Sequence, residues 1–193
     1  VATTTGNNVS VLIQDLAHPG SFLPHVDYAV GTHPVAVVIA DLDGDNRPDL
    51  VVANNGTDVA PTSKGVSVLL QAASPATAGT FNAAVTYDTG DAYATCVAVG
   101  DLNGDGKPDL AVSNAGVPGD PGSVSVFLQD SAHAGTFLAP TLYQGYQGPT
   151  SVAIADVDGD GSPDLVIGDG FLLVRYQITG QAGQFGVPYQ FRQ

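Results

Sequence analysis

DLNGDGKPDL (residues 101–110) sets oxygen-bearing side chains at Asp101, Asn103, Asp105 and Asp109, with Gly104 and Gly106 between them. The stretch returns as DLDGDNRPDL (41–50) and as DVDGDGSPDL (156–165). Sixty residues separate Asp41 from Asp101, and 55 separate Asp101 from Asp156. A chain that spells one acidic turn three times is a repeat, and the repeat decides the fold.

The flanks repeat with the turn. VAVVIAD (35–41), CVAVGD (96–101) and VAIAD (152–156) lead into it, and PDLVVAN (48–54), PDLAVSN (108–114) and PDLVIGD (163–169) leave it. NVSVLIQ (8–14) recurs as GVSVLLQ (65–71), SVSVFLQ (123–129) and, degenerately, FLLVRYQ (171–177), each followed by a phenylalanine at 22, 81, 137 or 185. Short runs of Val, Ile, Leu and aromatics between Gly, Pro, Asn and Asp clusters are strand and turn signals. No helical period of useful length appears. Four strands per repeat is the arithmetic of a β-propeller blade, with a plain β-sandwich as the alternative.

Two strands precede the first lead-in, and each of three acidic loops opens a unit of four. The expected total is fourteen strands: an all-β propeller array of about three and a half blades. The expected division is one domain over 1–193, with a partial blade at 1–34 and blades at 35–94, 95–149 and 150–193. Open blade faces and strand edges invite pairing with another chain. The chain is therefore expected to be half of a two-chain, seven-bladed ring, a subunit of a larger assembly, or a fragment of a longer propeller, with self-association as the leading expectation.

Composition narrows the function. All 19 acidic residues are Asp, against five Lys and Arg, for a formal charge of −14. Asp favours turns where Glu favours helices. Eleven of the 19 lie in the three loops. With no basic stripe to neutralise phosphates, nucleic acid is not an expected partner. No apolar run approaches the ~20 residues of a membrane helix, and no signal peptide is visible. The single cysteine, Cys96, lies in an apolar run and reads as a buried thiol.

Within each loop, oxygen side chains fall at positions 1, 3, 5 and 9. These are Asp41, Asp43, Asp45 and Asp49; Asp101, Asn103, Asp105 and Asp109; and Asp156, Asp158, Asp160 and Asp164. Position 7 is Arg47, Lys107 or Ser162, which share no side-chain chemistry and would offer a backbone carbonyl. Hard oxygen donors without His or Cys favour Ca²⁺ over zinc or copper, and a flexible loop suits Ca²⁺ better than Mg²⁺. Three Ca²⁺ sites are expected. The second, with one carboxylate fewer, is expected to bind most weakly. The loop is not an EF-hand, because position 12 is Val52, Val112 or Ile167 where that motif needs Glu.

VAIADVDGDGSPDLVIGD (152–169) resembles the FG-GAP and VCBS-type repeats of integrin-α-like β-propellers. The resemblance implies that each loop joins two strands of a blade. It also implies that calcium is held through positions 1, 3, 5 and 9 and the carbonyl of position 7. The Phe-Gly pair of that family survives only at Phe185-Gly186, so an integrin-type ligand is not carried over. The resemblance further implies an extracellular or cell-surface protein.

Catalytic alternatives are weaker. VVIADLDGDN (37–46) resembles the DxDG(T) motif of haloacid-dehalogenase-like phosphatases, but Asp45, Asp105 and Asp160 occupy its Thr position. No G-x-S-x-G elbow occurs, and Asp residues outside the loops show no pairing. His18, His25, His33 and His133 lack ligand spacing. The tyrosines read as core or rim packing. Asn8 and Asn55 head glycosylation sequons. The expected function is a non-enzymatic, calcium-stapled extracellular module with a structural, adhesive or self-assembly role. The alternatives are carbohydrate or protein-ligand binding, or an accessory role in a larger secreted enzyme.

Overall fold

The computed structural model describes residues 2–3, 6–56, 65–73 and 79–190. They form four antiparallel sheets. The first comprises β1 (Ala2–Thr3), β2 (Asn8–Val11) and β3 (Val26–Ala29). The second comprises β4 (Pro34–Ala40), β5 (Asp49–Asn54), β6 (Gly65–Leu69) and β7 (Val85–Tyr87). The third comprises β8 (Ala94–Gly100), β9 (Asp109–Asn114), β10 (Gly122–Phe127) and β11 (Thr141–Tyr146). The fourth comprises β12 (Ser151–Ala155), β13 (Asp164–Gly168), β14 (Leu172–Arg175) and β15 (Tyr189–Gln190). Each sheet is an up-and-down meander, and β4, β8 and β12 lie side by side. This is the expected all-β propeller array of about three and a half blades: three complete and one partial.

The central strands explain their sequences. Every residue of β5, β6, β9 and β10 is buried. A blade in the middle of the array packs both faces against neighbours, so its central strands read as continuous Val, Ala and Leu rather than in alternation. One core lies between the second and third sheets, around Val51, Val66, Val112 and Phe127. Another lies between the third and fourth, around Val124, Tyr146, Leu165 and Ile167. A smaller one, around Val9, Leu50, Val52 and Leu69, joins the first two sheets.

The repeated phenylalanine is the wedge between blades. Phe81, Phe137 and Phe185 meet Tyr28, Tyr87 and Tyr143 of the preceding sheet edge-to-face, at centroid distances of 5.4, 5.6 and 5.6 Å. Such pairs add about 0.5–1.5 kcal/mol beyond the area they bury. The backbone N–H groups of Phe81 and Phe185 donate to the hydroxyls of Tyr28 and Tyr143, so ring and hydroxyl act together.

The strand count departs from the sequence reading. Fifteen strands form among the described residues, the added one being β1. Two residues are too few to show a period of two, so composition could not reveal it. β1 pairs with β2 and lies beside β4, the place that β5 holds between β6 and β8. Among the described residues the first sheet thus has three strands where each of the others has four. Val37 is 37% exposed and Ile39 66% exposed, whereas Val97 and Val152, the repeat equivalents of Val37, are 3% and 6% exposed.

Candidate functional site

Each acidic loop joins the innermost strand of a blade to the next one, and its ninth residue is the first residue of that next strand: Asp49 on β5, Asp109 on β9, Asp164 on β13. The proline at position 8 sits where a strand begins and a missing N–H costs nothing. Loop backbones are wound around position 1. Asp41 accepts from the N–H groups of Gly44 (2.8 Å) and Asn46 (2.8 Å), Asp101 from Gly104 (2.7 Å) and Gly106 (2.8 Å), and Asp156 from Gly159 (2.7 Å) and Gly161 (2.9 Å). Positions 4 and 6 both lie in the left-handed region: Gly104 and Gly106 have φ of 76° and 81°, and Asn46 manages 64°. That explains the alternating glycines of the opening motif.

Position 9 has a structural duty that its spacing does not advertise. Asp49, Asp109 and Asp164 are almost wholly buried. Each carboxylate bridges the start of its loop to the far end of the blade's third strand. Asp109 accepts from Leu102 N and Gln129 N at 2.8 Å each, Asp49 from Leu42 N (2.8 Å) and Gln71 N (2.7 Å), and Asp164 from Val157 N (3.1 Å) and Gln177 N (2.9 Å). Burial pushes the Asp109 carboxyl above its ordinary value; the two N–H donors oppose this, and Asp105 and Asp101 add to it. Burial likewise raises Asp43, and the charges of Asp49, Asp45 and Asp41 raise it further. Carboxylates that crowd one another while losing water favour a cation among them.

The structure gathers positions 1, 3 and 9. Ligand oxygens of Asp41, Asp43 and Asp49 all lie within 4.8 Å of one another, as do those of Asp156, Asp158 and Asp164. The donors are carboxylate oxygens alone, which fits a hard divalent cation. In the second loop position 3 is Asn103, whose amide oxygen accepts from Asp105 N at 2.9 Å. Position 5 stands apart from the two gathered groups. Asp45 is ion-paired with Arg47, Asp105 accepts from Lys107 N (2.9 Å), and Asp160 accepts from Ser162 N (2.7 Å). Val52, Val112 and Ile167 at position 12 are buried in strands, as a loop unlike an EF-hand requires.

Two histidines sit in a separate repeated turn. His18 and His133 place Nδ1 2.7 Å from Asp15 and Asp130, and these bonds hold both carboxyls below the usual carboxylate value. The sequon at Asn55 runs into Thr57, and Asp58 follows; both lie outside the described residues.

Sequence reasoning missed the neighbours of the loops. Gln129, 4% exposed, donates from Nε2 to Leu42 O of the preceding blade's loop and to Pro108 O of its own, both at 2.9 Å. Gln177 repeats this on Leu102 O (2.8 Å) and Pro163 O (3.3 Å). The signal was available, since all four copies of the NVSVLIQ run end in Gln. The hairpin after each Gln closes on the same loop. A Cβ on Gly135 would meet Leu70 at 2.9 Å and Asp43 at 3.3 Å, and one on Gly183 would meet Leu128 at 3.2 Å and Asn103 at 3.4 Å. A cleft of about 380 Å³ between the first two loops is lined by Asp41, Asp43, Lys107 and Gln129 among others.

Among the described residues no helix is long and apolar enough to cross a membrane. No curated protein matches the chain. Family models do match it. The FG-GAP repeat matches residues 33–70 and 97–127, and the FG-GAP-like repeat matches residues 115–167. Together these cover more than half of the chain and contain all three acidic loops. The repeat, the four-stranded meanders and the placement of the loops agree with the models: the chain is an FG-GAP repeat protein.

Proposed function

We propose that the protein is a calcium-binding, non-enzymatic propeller module, extracellular or at a cell surface, in which Ca²⁺ staples the two innermost strands of each complete blade. The observation that carries the reading is the convergence of three carboxylates within 4.8 Å in the first and third loops, one of each trio buried at the root of a strand. Asp41, Asp43 and Asp49, with Asp101, Asn103 and Asp109, and Asp156, Asp158 and Asp164, would hold the ions. Bound Ca²⁺ supplies the positive charge that these carboxylates lack. The protein's own contribution is a loop already wound to present oxygens. FG-GAP repeats are often calcium-binding and typical of extracellular or surface proteins, which agrees with this reading. Antiparallel pairing throughout the described strands, without a helix, gives the phosphatase alternative no crossover to work with.

A structural role by self-association rests on the exposed apolar face of β4. Val37 and Ile39 there suit an added strand, whose burial would stabilise by about 1.5–3 kcal/mol per large side chain. The test of the whole reading is isothermal titration with Ca²⁺ alongside light scattering in millimolar calcium and in chelator. Three bound ions, dissociation constants of roughly 10⁻⁴–10⁻³ M and a multiple of the 19.5 kDa chain mass are expected. Absence of heat and of any thermal shift with Ca²⁺ refutes the staple. A monomer in both buffers refutes the assembly.

A further inference from the structure

The three loops are not independent turns. Gln129 joins two peptide units that belong to different loops. Its Nε2 holds the carbonyl of Leu42, whose peptide carries Asp43, position 3 of the first loop. It also holds the carbonyl of Pro108, whose peptide carries Asp109, position 9 of the second loop. Its backbone N–H donates to the Asp109 carboxylate itself. Gln177 makes the same three bonds one blade later, to the carbonyl before Asn103, the carbonyl before Asp164, and the Asp164 carboxylate. Leu42 and Leu102, the residues so held, are 1% and 0% exposed; Val157, their equivalent in the third loop, is 45% exposed.

We propose that Gln129 and Gln177 are positioning residues that couple the loops, so that occupancy of one raises the cation affinity of the next. The inference rests on the calcium reading of the loops. Fixing Asp43 on an ion fixes the peptide between Leu42 and Asp43. That aims the Leu42 carbonyl at Gln129, and a carboxamide held there keeps the Pro108–Asp109 peptide in its binding orientation. The path is one side chain long, buried and hydrogen-bonded at both ends. A shared, low-dielectric hydrogen-bonded link is the kind of network through which neighbouring sites do not behave additively. By linkage the coupling is reciprocal.

The experiment titrates Ca²⁺ into the full chain and follows the amide resonances of Gly44, Gly106 and Gly161, one in each loop. Asp43→Ala removes a position-3 oxygen from the first loop and touches neither glutamine. The expected result is an affinity at the second loop lowered by about fivefold, the low end of usual coupling factors. In a Gln129→Met background the same substitution should leave the second loop unmoved, while Gln177→Met should preserve the effect. Equal second-loop affinities in wild type and Asp43→Ala overturn the coupling while leaving the calcium reading intact. A wild type whose three glycines ignore Ca²⁺ overturns both. If Gln129→Met does not fold in chelator, the Asp43→Ala comparison alone decides.

Discussion

Asp109→Asn separates two forces that act oppositely on one buried carboxylate. Burial raises the pKa of Asp109, so losing its charge relieves a cost. Against that, both its oxygens accept backbone N–H groups at 2.8 Å. An amide keeps one acceptor and turns an NH₂ toward the other donor. Hydrogen bonds to charged groups contribute about 1.5–3 kcal/mol each, and an orphaned buried N–H costs about 1–3 kcal/mol more. With the relief of desolvation subtracted, a net loss of about 2 kcal/mol is expected without metal. For a chain of this size that lowers Tm by roughly 4–8 °C. In calcium the gap should widen, because a site at 100 times its Kd adds about 2.7 kcal/mol to the wild type alone. The assay is calorimetric unfolding at pH 7 in chelator and in 10 mM Ca²⁺, with Asp105→Asn as a control. Asp105 is exposed, and Asn there still accepts from Lys107 N, so less than about 0.5 kcal/mol is expected in chelator. An Asp109→Asn variant as stable as wild type in chelator would mean that desolvation outweighs the two bonds and that position 9 is a ligand without a structural duty.

Arg175 stands where the preceding blade has Phe127. It is buried beneath Tyr143 and Tyr146, with its guanidinium 5.1 and 5.2 Å from their ring centroids, and it donates to the Tyr146 hydroxyl and to the carbonyls of Gly186 and Gln144. Arg175→Met should cost about 2–4 kcal/mol and push the already raised Tyr146 pKa higher, read by ultraviolet titration; an unmoved phenol titration refutes the contact. The turn pairs set an acid limit. His18 and His133 hold Asp15 and Asp130 below the ordinary carboxylate value, so their contribution is complete above that value and drains away as pH falls through the lowered one. His133→Ala should move the Asp130 carboxyl signal up in a carbon-detected pH titration, and an unchanged midpoint removes the pair from the account.

The propeller was legible because its strongest signals are local and repeated. Val51, Val52, Val112 and Ile167 read as strand cores wherever the period is judged, and the acidic turns fix where each strand begins. What could not be read depends on position in the array. β1 is too short to carry a pattern. Whether Ile39 or Val97 is covered depends on whether a neighbouring blade supplies a strand, which no local sequence records. The spacing that marks position 5 as a ligand does not record that the Asp45 carboxylate pairs with Arg47. The glutamines were visible as repeated letters, but their partners lie 87 and 75 residues away.

That dependence bears on the ranking of the loops. By charge alone the first and third are equal, with four Asp each, and the second trails. By cover the third trails: no described blade closes over it, its Val157 is exposed, and its Val157–Asp164 bond is 3.1 Å where the other loops have 2.8 Å. Exchanging a carboxylate for an amide forfeits about 1–4 kcal/mol of attraction for a unit charge at ~4 Å, between bulk-water and surface dielectrics, and twice that for a dication. Losing one carbonyl clamp forfeits about 0.5–1.5 kcal/mol. Charge therefore outweighs cover. The expected affinity order is first, third, second, read from the glycine amides as Ca²⁺ is added. A third loop weaker than the second would show that order imposed by the neighbouring blade governs these sites more than their count of carboxylates.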